Sequence, residues 1–320
     1  MRRAAADLVD GVLALDKPVG VSSNLALQKA RRLLQARKAG HTGTLDPMAS
    51  GLLPLAFGEA TKFCVDLLEA EKQYEARLEL GVTTRTGDTE GEVVDRRPVN
   101  VSRAQLEEVL ARFVGKGQQV PPMYSALKRD GRPLYELARL GQEVARAPRP
   151  VEIRYIEVSV WDERQPRLEI VCSKGTYVRV LVQDIGEVLG CGAHLVGLRR
   201  TRVGPLGLAQ AVTLEQLEAQ CLQERRARLL PVDTLLATLP HVSLDADEAA
   251  RLAHGQAVRL PGSVVEDAPR LRVYDGCARL LGVASCRDGW LRAARLVAAE
   301  GALRPAPRDR MQQDGIEGRT

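Results

Sequence analysis

Apolar and polar positions along this chain change period several times, and each change marks an element. Residues 12–15 and 52–57 are unbroken apolar runs of strand length, the pattern of strands buried on both faces. Residues 73–80 alternate, which predicts a strand with one face in the core. Helical spacing recurs over 24–35, 102–113, 134–140 and 177–189, with Ser22 or Ser23 as the cap of the first helix and Ser102 as the cap of the second. Strands are predicted at 151–161, 167–172 and 193–203, and the glycine-containing stretch 115–122 reads as a loop. Strands interspersed with helices in this way give an α+β fold with a mixed, largely antiparallel central sheet.

The pattern changes near residue 231. The segment 231–240, bounded by prolines, reads as a linker. Beyond it come a helix over 245–253, a turn at His254-Gly255-Gln256, and short strands around 271–274, 280–284 and 290–296. At 320 residues the chain is long enough for two domains. The expected division is 1–238 for the larger, 239–300 for a small β-rich module, and 301–320 for a disordered tail with no core-forming pattern.

Composition narrows the function classes. The net charge of +5 suits a polyanionic partner. Lys supplies only eight of the 46 basic residues, and Arg is the better bidentate phosphate partner, although a GC-rich codon bias explains most of that excess. With 3% aromatic residues, any base stacking must come from a few particular side chains. The six cysteines lack a Cys-x-x-Cys pair and the four histidines lack ligand spacing, which argues against a zinc ribbon or a disulfide framework. No signal peptide or spanning apolar segment is evident, so the expectation is a cytoplasmic protein with no membrane partner. Basic residues gather at Lys29, Arg31, Arg32, Arg37 and Lys38, and again between Lys128 and Arg154.

Candidate chemistry centres on residues 41–54, His-Thr-Gly-Thr-Leu-Asp-Pro-Met-Ala-Ser-Gly-Leu-Leu-Pro. Gly43 and Gly51 permit backbone angles other residues avoid, and Pro47 restricts the backbone of Asp46. An Asp before Pro is by itself a common turn. The complete string, however, resembles the catalytic motif of the TruB family of pseudouridine synthases. So do Lys17-Pro18-Val19-Gly20-Val21-Ser22-Ser23, Gly58-Glu59-Ala60-Thr61-Lys62 with Tyr74, Gly87-Asp88-Thr89-Glu90-Gly91, Pro121-Pro122-Met123-Tyr124-Ser125-Ala126-Leu127-Lys128, Ser173-Lys174-Gly175-Thr176-Tyr177-Val178-Arg179 and Leu198-Arg199-Arg200, all in the family's order.

The resemblance implies a pseudouridine synthase fold, a PUA-like RNA-binding module at 239–300, and an RNA-clamping insertion at about 115–150. It implies isomerisation of the T-loop uridine at tRNA position 55, with tRNA as partner, no guide RNA, no cofactor or metal, and a monomeric enzyme. It assigns Asp46 as nucleophile, Arg179 as its charge partner, and Tyr74 as the residue that stacks on the base and moves a proton. Tyr177 and Leu198 line the pocket, and His41 fills the space left by the flipped base. Lys17 and Lys62 contact phosphate or support the catalytic loop, and Asp88 orders the site or contacts RNA. Two other readings stand beside it: a tRNA-binding or folding protein whose main role is non-catalytic, and a retaining glycosidase. The second needs another carboxylate about 5–5.5 Å from Asp46, and the local motif offers none.

Overall fold

The computed structural model describes residues 9–129, 131–260 and 267–298, so the tail expected to be disordered, 301–320, lies outside the described residues. A ten-stranded sheet organises the larger part. Its order runs Val212–Thr213, Gly11–Lys17, Ala49–Phe57, Ala193–Val203, Lys72–Leu80, Arg167–Cys172, Arg149–Val160, Gly115–Gln119, with Ala39–His41 and Leu206–Gly207 paired off this path. Two pairings are parallel, Gly11–Lys17 with Val212–Thr213 and Ala193–Val203 with Ala49–Phe57; the rest are antiparallel. The mixed, largely antiparallel sheet of an α+β fold is therefore present.

Each strand's pattern follows from its place. Ala49–Phe57 is central and almost wholly buried, hence its continuous apolar run. Lys72–Leu80 alternates, sending Tyr74, Ala76, Leu78 and Leu80 into the core and leaving Glu75 and Arg77 exposed. The helices Ser23–Leu33, Arg103–Phe113 and Val178–Val188 pack their apolar stripes on the same core. Ser22 caps the first through Leu25 N at 3.2 Å, and Ser102 with Gln105 forms a capping box on the second.

Two elements depart from the sequence reading. Gly115–Gln119 is not loop but the edge strand of the sheet, paired with Arg149–Val160. Its two glycines weaken the strand signal, and the long neighbouring strand supplies the ladder regardless of propensity. The segment 231–240 is not an open linker. Val232–Leu236 forms a short 3-10 helix that buries Leu235 and Leu236.

A second sheet of five strands, His241–Ser243, Ala268–Tyr274, Leu280–Arg287, Trp290–Leu296 and Val258–Arg259, packs on the helix Ala246–Ala253 around its own core. It docks firmly on the larger part. Val283 joins Phe63, Leu67, Leu235 and Leu236 in one apolar cluster. Around that cluster, Arg270 makes a bidentate pair with Asp66 at 2.8 and 3.0 Å, and Tyr274 donates to Asp233 at 2.9 Å. No helix among the described residues is long and apolar enough to cross a membrane.

Candidate active site

Asp46 sits between the strands Ala39–His41 and Ala49–Phe57, and the neighbouring 17–23 segment grips it from both sides. Gly20 N–H donates to Pro47 O at 2.8 Å. The buried Ser23 hydroxyl accepts from Leu45 N at 2.8 Å and donates to Leu45 O at 2.9 Å, fixing the residue before Asp46. Lys17 is fully buried, and its ammonium donates to Pro18 O at 2.8 Å and Val21 O at 2.6 Å, shaping the gripping loop. Burial lowers its pKa to about 8, while Asp46 opposes the fall. With no surface exposed, Lys17 cannot reach a phosphate; loop support is the role its geometry leaves.

Arg200 holds the same loop from beneath. It is 1% exposed and donates to Gly43 O at 3.1 Å and Leu52 O at 2.7 Å, one carbonyl on each side of Asp46. The approach is so close that a Cβ on Gly51, at φ +99°, would lie 2.3 Å from the Arg200 carbonyl oxygen. Gly51 therefore serves both the left-handed angle and the contact between parallel strands.

The carboxylate itself faces Arg179, with Nε 3.0 Å from Asp46 Oδ2 and Nη1 3.2 Å from Asp88 Oδ2. The arginine and Asp88 are nearly inaccessible, whereas the Asp46 side chain retains 37% exposure and so opens to a ligand. Arg179 is fixed further by Thr86 O at 3.1 Å and Tyr124 O at 2.7 Å. Asp88 in turn accepts from Thr86 Oγ1 at 2.5 Å and Glu90 N at 3.0 Å. Desolvation raises the Asp46 pKa, and Arg179 is the main group opposing that rise. Asp88 is a carboxylate close to this centre that lies outside the local motif. It is bound to Arg179 and buried, so it cannot act as the second carboxylate of a glycosidase.

The aromatic and apolar candidates converge here. Tyr74 is buried on Lys72–Leu80, cross-strand from Arg200, and burial raises its phenol pKa while Arg200 opposes. Tyr177 caps Val178–Val188 two residues before Arg179, held by Gln119 Oε1 at 2.8 Å from its amide; burial raises its pKa and a contact with Ser125 opposes. Leu198 lies between Ala49 and Ala76 in the sheet, partly exposed. His41 keeps a buried Nδ1 with no hydrogen-bond partner among the described residues, and burial, helped by Arg200, lowers its pKa and favours the neutral ring.

Lys62 is not at this site. Its ammonium binds Glu59 at 2.5 Å and Leu296 O at 2.9 Å, and Glu59 also accepts from Ala298 N at 2.7 Å. It stands where the second sheet docks, at the far end of Ala49–Phe57 from Asp46, because the motif's position in sequence says nothing about the strand length between them. Ser23 and Arg200 belong to motifs in which the sequence assigns them no site role. A signal for Ser23 is nonetheless there, a serine beyond the one needed for the cap, whereas Arg200 is one of three arginines in Ala193–Val203 and nothing in the sequence singles it out. Among the described residues no three His, Cys, Asp or Glu side chains gather to hold a metal.

A partly exposed aspartate braced by a buried arginine, in a loop between two strands of this mixed sheet, lies inside the stretch that matches a pseudouridine synthase, and the chain belongs to the TruB family. Residues 31–178 match the TruB family pseudouridylate synthase N-terminal domain, 179–237 the tRNA pseudouridylate synthase B C-terminal domain, and 240–297 the C-terminal domain of pseudouridine synthase II TruB. Among relatives, the tRNA pseudouridine synthase B of Burkholderia mallei (strain ATCC 23344) is 58% identical over 299 residues, covering 92% of this chain and 96% of its own. That of Ralstonia pickettii (strain 12J) is 57% identical, covering 90% and 94%. Of solved structures, a Cbf5-Nop10-Gar1 complex aligns with a TM-score of 0.68 at 28% identity, covering 87% of this chain and 79% of the other.

Proposed function

We propose that this chain converts a uridine in tRNA to pseudouridine, the substrate base being uridine 55 of the T-loop. The observation that carries the reading is the Asp46–Arg179–Asp88 arrangement inside the family's catalytic loop. The reaction breaks the N-glycosidic bond, turns the uracil and rejoins it through C5. Product and substrate are isomers, so the atom balance requires no group donor. It does require an ionised carboxylate beside the sugar or the base, to attack or to take a proton. Asp46 supplies it, and Arg179 keeps it ionised and oriented against the desolvation that favours its neutral form.

The remaining residues serve base flipping. Extruding the uridine costs a few kcal/mol. Stacking on Tyr74 returns about 1–3 kcal/mol, Leu198 closes the other face, and Tyr177 lines the pocket. The neutral His41 takes the place vacated in the RNA, its unpartnered Nδ1 offering a hydrogen bond there. Asp88 orders the site through Arg179, and Lys17 holds the loop.

The enzyme acts alone, without guide RNA, as a monomer in the cytoplasm. Its insertion at about 115–150 closes over the RNA stem-loop, and a module at 239–300 adds RNA contacts. Relatives of nearly equal length named as tRNA pseudouridine synthases support this reading. The test is incubation of purified protein with unmodified tRNA transcript, followed by mapping of pseudouridine. Conversion confined to position 55 is the expected result. Tight binding without conversion would favour the tRNA-folding role instead.

A further inference from the structure

One buried polar side chain beside the site has no part in the reaction as described so far. Gln119 is 6% exposed and ends the edge strand Gly115–Gln119, opposite Arg149. Its amide makes two bonds to the backbone of a single residue. Oε1 accepts from Tyr177 N at 2.8 Å, and Nε2 donates to Tyr177 O at 3.1 Å. An antiparallel strand exchanges the same pair of bonds, and here a side chain stands in for it. An amide bonded at both ends is fixed in place and in plane, and it fixes the peptide it holds.

Tyr177 is the residue where such a hold has consequences. It is the N-cap of Val178–Val188, and its own side chain makes no capping bond. Its carbonyl also accepts from Leu181 N at 3.1 Å, so the helix starts from the residue that Gln119 grips. Arg179 lies in that first turn. Its Nη2 donates to Tyr124 O at 2.7 Å, a short way along the chain from Gln119. The stretch 119–124 thus touches the start of the helix twice, on its backbone through Gln119 and on its arginine through Tyr124. The same stretch leads into the insertion, where Tyr135 N donates to Ser125 O at 3.1 Å within Leu134–Arg139.

Resting on the pseudouridine synthase reading of the active site, we propose that Gln119 is a positioning residue for the reaction. Through its two bonds to Tyr177 it sets where the helix begins, and so where the Tyr177 ring and the Arg179 guanidinium stand relative to Asp46. Displacing a reacting or charge-stabilising group by about 1 Å costs about 10²-fold in rate. Affinity for tRNA rests on phosphate contacts, which a buried amide bonded to backbone does not make. The effect of Gln119 therefore falls on the chemical step and not on binding.

Gln119→Met keeps the length of the side chain and removes both bonds. Its single-turnover rate at saturating enzyme should fall about 10–100-fold, with tRNA affinity in filter binding within a few-fold of the unaltered chain. Gln118→Met, on the same strand but exposed, should change neither. Gln119→Glu separates positioning from packing. An ionised carboxyl there offers Tyr177 O no donor, whereas a neutral one restores both donor and acceptor. The charged groups around Tyr177 are Asp46, Arg149 and Arg179. The two arginines favour the ionised form of the introduced carboxyl, and burial and Asp46 favour the neutral one. The ratio of the Gln119→Glu rate to that of the unaltered chain should accordingly rise as the pH is lowered, over the range in which circular dichroism shows both to be folded. A residue that only stabilises the fold would lower Tm and leave the rate of the folded protein intact. A folded Gln119→Met with an unchanged rate, a loss that appears in affinity instead, or a Gln119→Glu ratio that does not rise overturns the proposal. Pseudouridine formation by the unaltered chain keeps the two questions apart. Turnover with any of those outcomes defeats the role of Gln119 alone, whereas absence of turnover defeats the underlying reading.

Discussion

Replacing Arg179 with alanine tests the centre of the site most directly. The change removes the 3.0 Å pair to Asp46, the 3.2 Å pair to Asp88 and the donors to Thr86 O and Tyr124 O. Asp88, almost inaccessible, is left charged and without its arginine, and breaking a buried pair from one side costs about 3–5 kcal/mol. Within an ordinary stability of about 5–15 kcal/mol, the variant remains folded but melts roughly 10 °C lower. Activity carries the sharper signature. Burial pushes the Asp46 pKa up and Arg179 is the chief opposing charge, so its loss moves the pKa further up. On the proposed mechanism the ionised form reacts, so the acid limb of the rate profile moves toward higher pH. The plateau falls by about 10²–10³, the usual effect of losing a preorganised charge partner. Arg179→Lys restores a point charge for one acid but not the bridge, so it should recover the limb more than the plateau. The assay is single-turnover pseudouridine formation at saturating enzyme, measured across the pH range in which each variant stays folded. An Arg179→Ala enzyme whose acid limb coincides with that of the unaltered protein would mean that Arg179 does not hold Asp46 ionised, whatever its plateau.

Asp46→Asn should abolish conversion of tRNA while leaving its affinity, measured by filter binding, within a few-fold, because shape and phosphate contacts survive. Tyr74→Phe keeps the ring in its buried position and should slow single turnover less than Tyr74→Ala, which loses stacking worth about 1–3 kcal/mol; equal rates for Ala and the unaltered protein would return Tyr74 to a packing role. Ser23→Ala removes both bonds to Leu45, each worth about 1 kcal/mol, and should lower kcat more than it raises KM. Deleting residues 241–320 uncovers Phe63, Leu67, Leu235 and Leu236 and breaks the Arg270–Asp66 pair, so a marked fall in Tm should accompany weaker tRNA binding by the folded remainder.

The strands and helices that frame the site are legible in the sequence because each has one dominant pattern, continuous apolar in 49–57 and alternating in 72–80. Asp46 and Arg179 are legible only as members of motifs, since nothing in their spacing reveals that residues 133 positions apart meet at 3.0 Å. What stays hidden is mostly backbone work. Gly115–Gln119 carries little strand propensity and is a strand because its neighbour needs a partner. Ser23, Lys17 and Arg200 act on carbonyls and amides of the catalytic loop, and a sequence shows side chains without showing which backbone groups need them. Lys62, read from its motif as a phosphate contact or a support of the loop, donates to Leu296 O where the second sheet docks.

The charge arrangement around Asp46 explains why so many cations are buried together. Lys17, Arg179 and Arg200 lie among the acids Asp46, Asp88 and Glu90, and Arg200 is held by the carbonyls of Gly43 and Leu52. Their charge works in two directions. It lowers the pKa of His41, whose neighbour Arg200 adds to the effect of burial, and it opposes the rise that burial imposes on Asp46. Arg179 is shared between Asp46 and Asp88, whereas Arg200 is held by backbone carbonyls and keeps its charge while the loop stays fixed. Carbonyls are weak partners that do not neutralise a guanidinium. The buried cations thus anchor the loop through its carbonyls, which is why substituting Arg200 or Lys17 would disturb the position of Asp46.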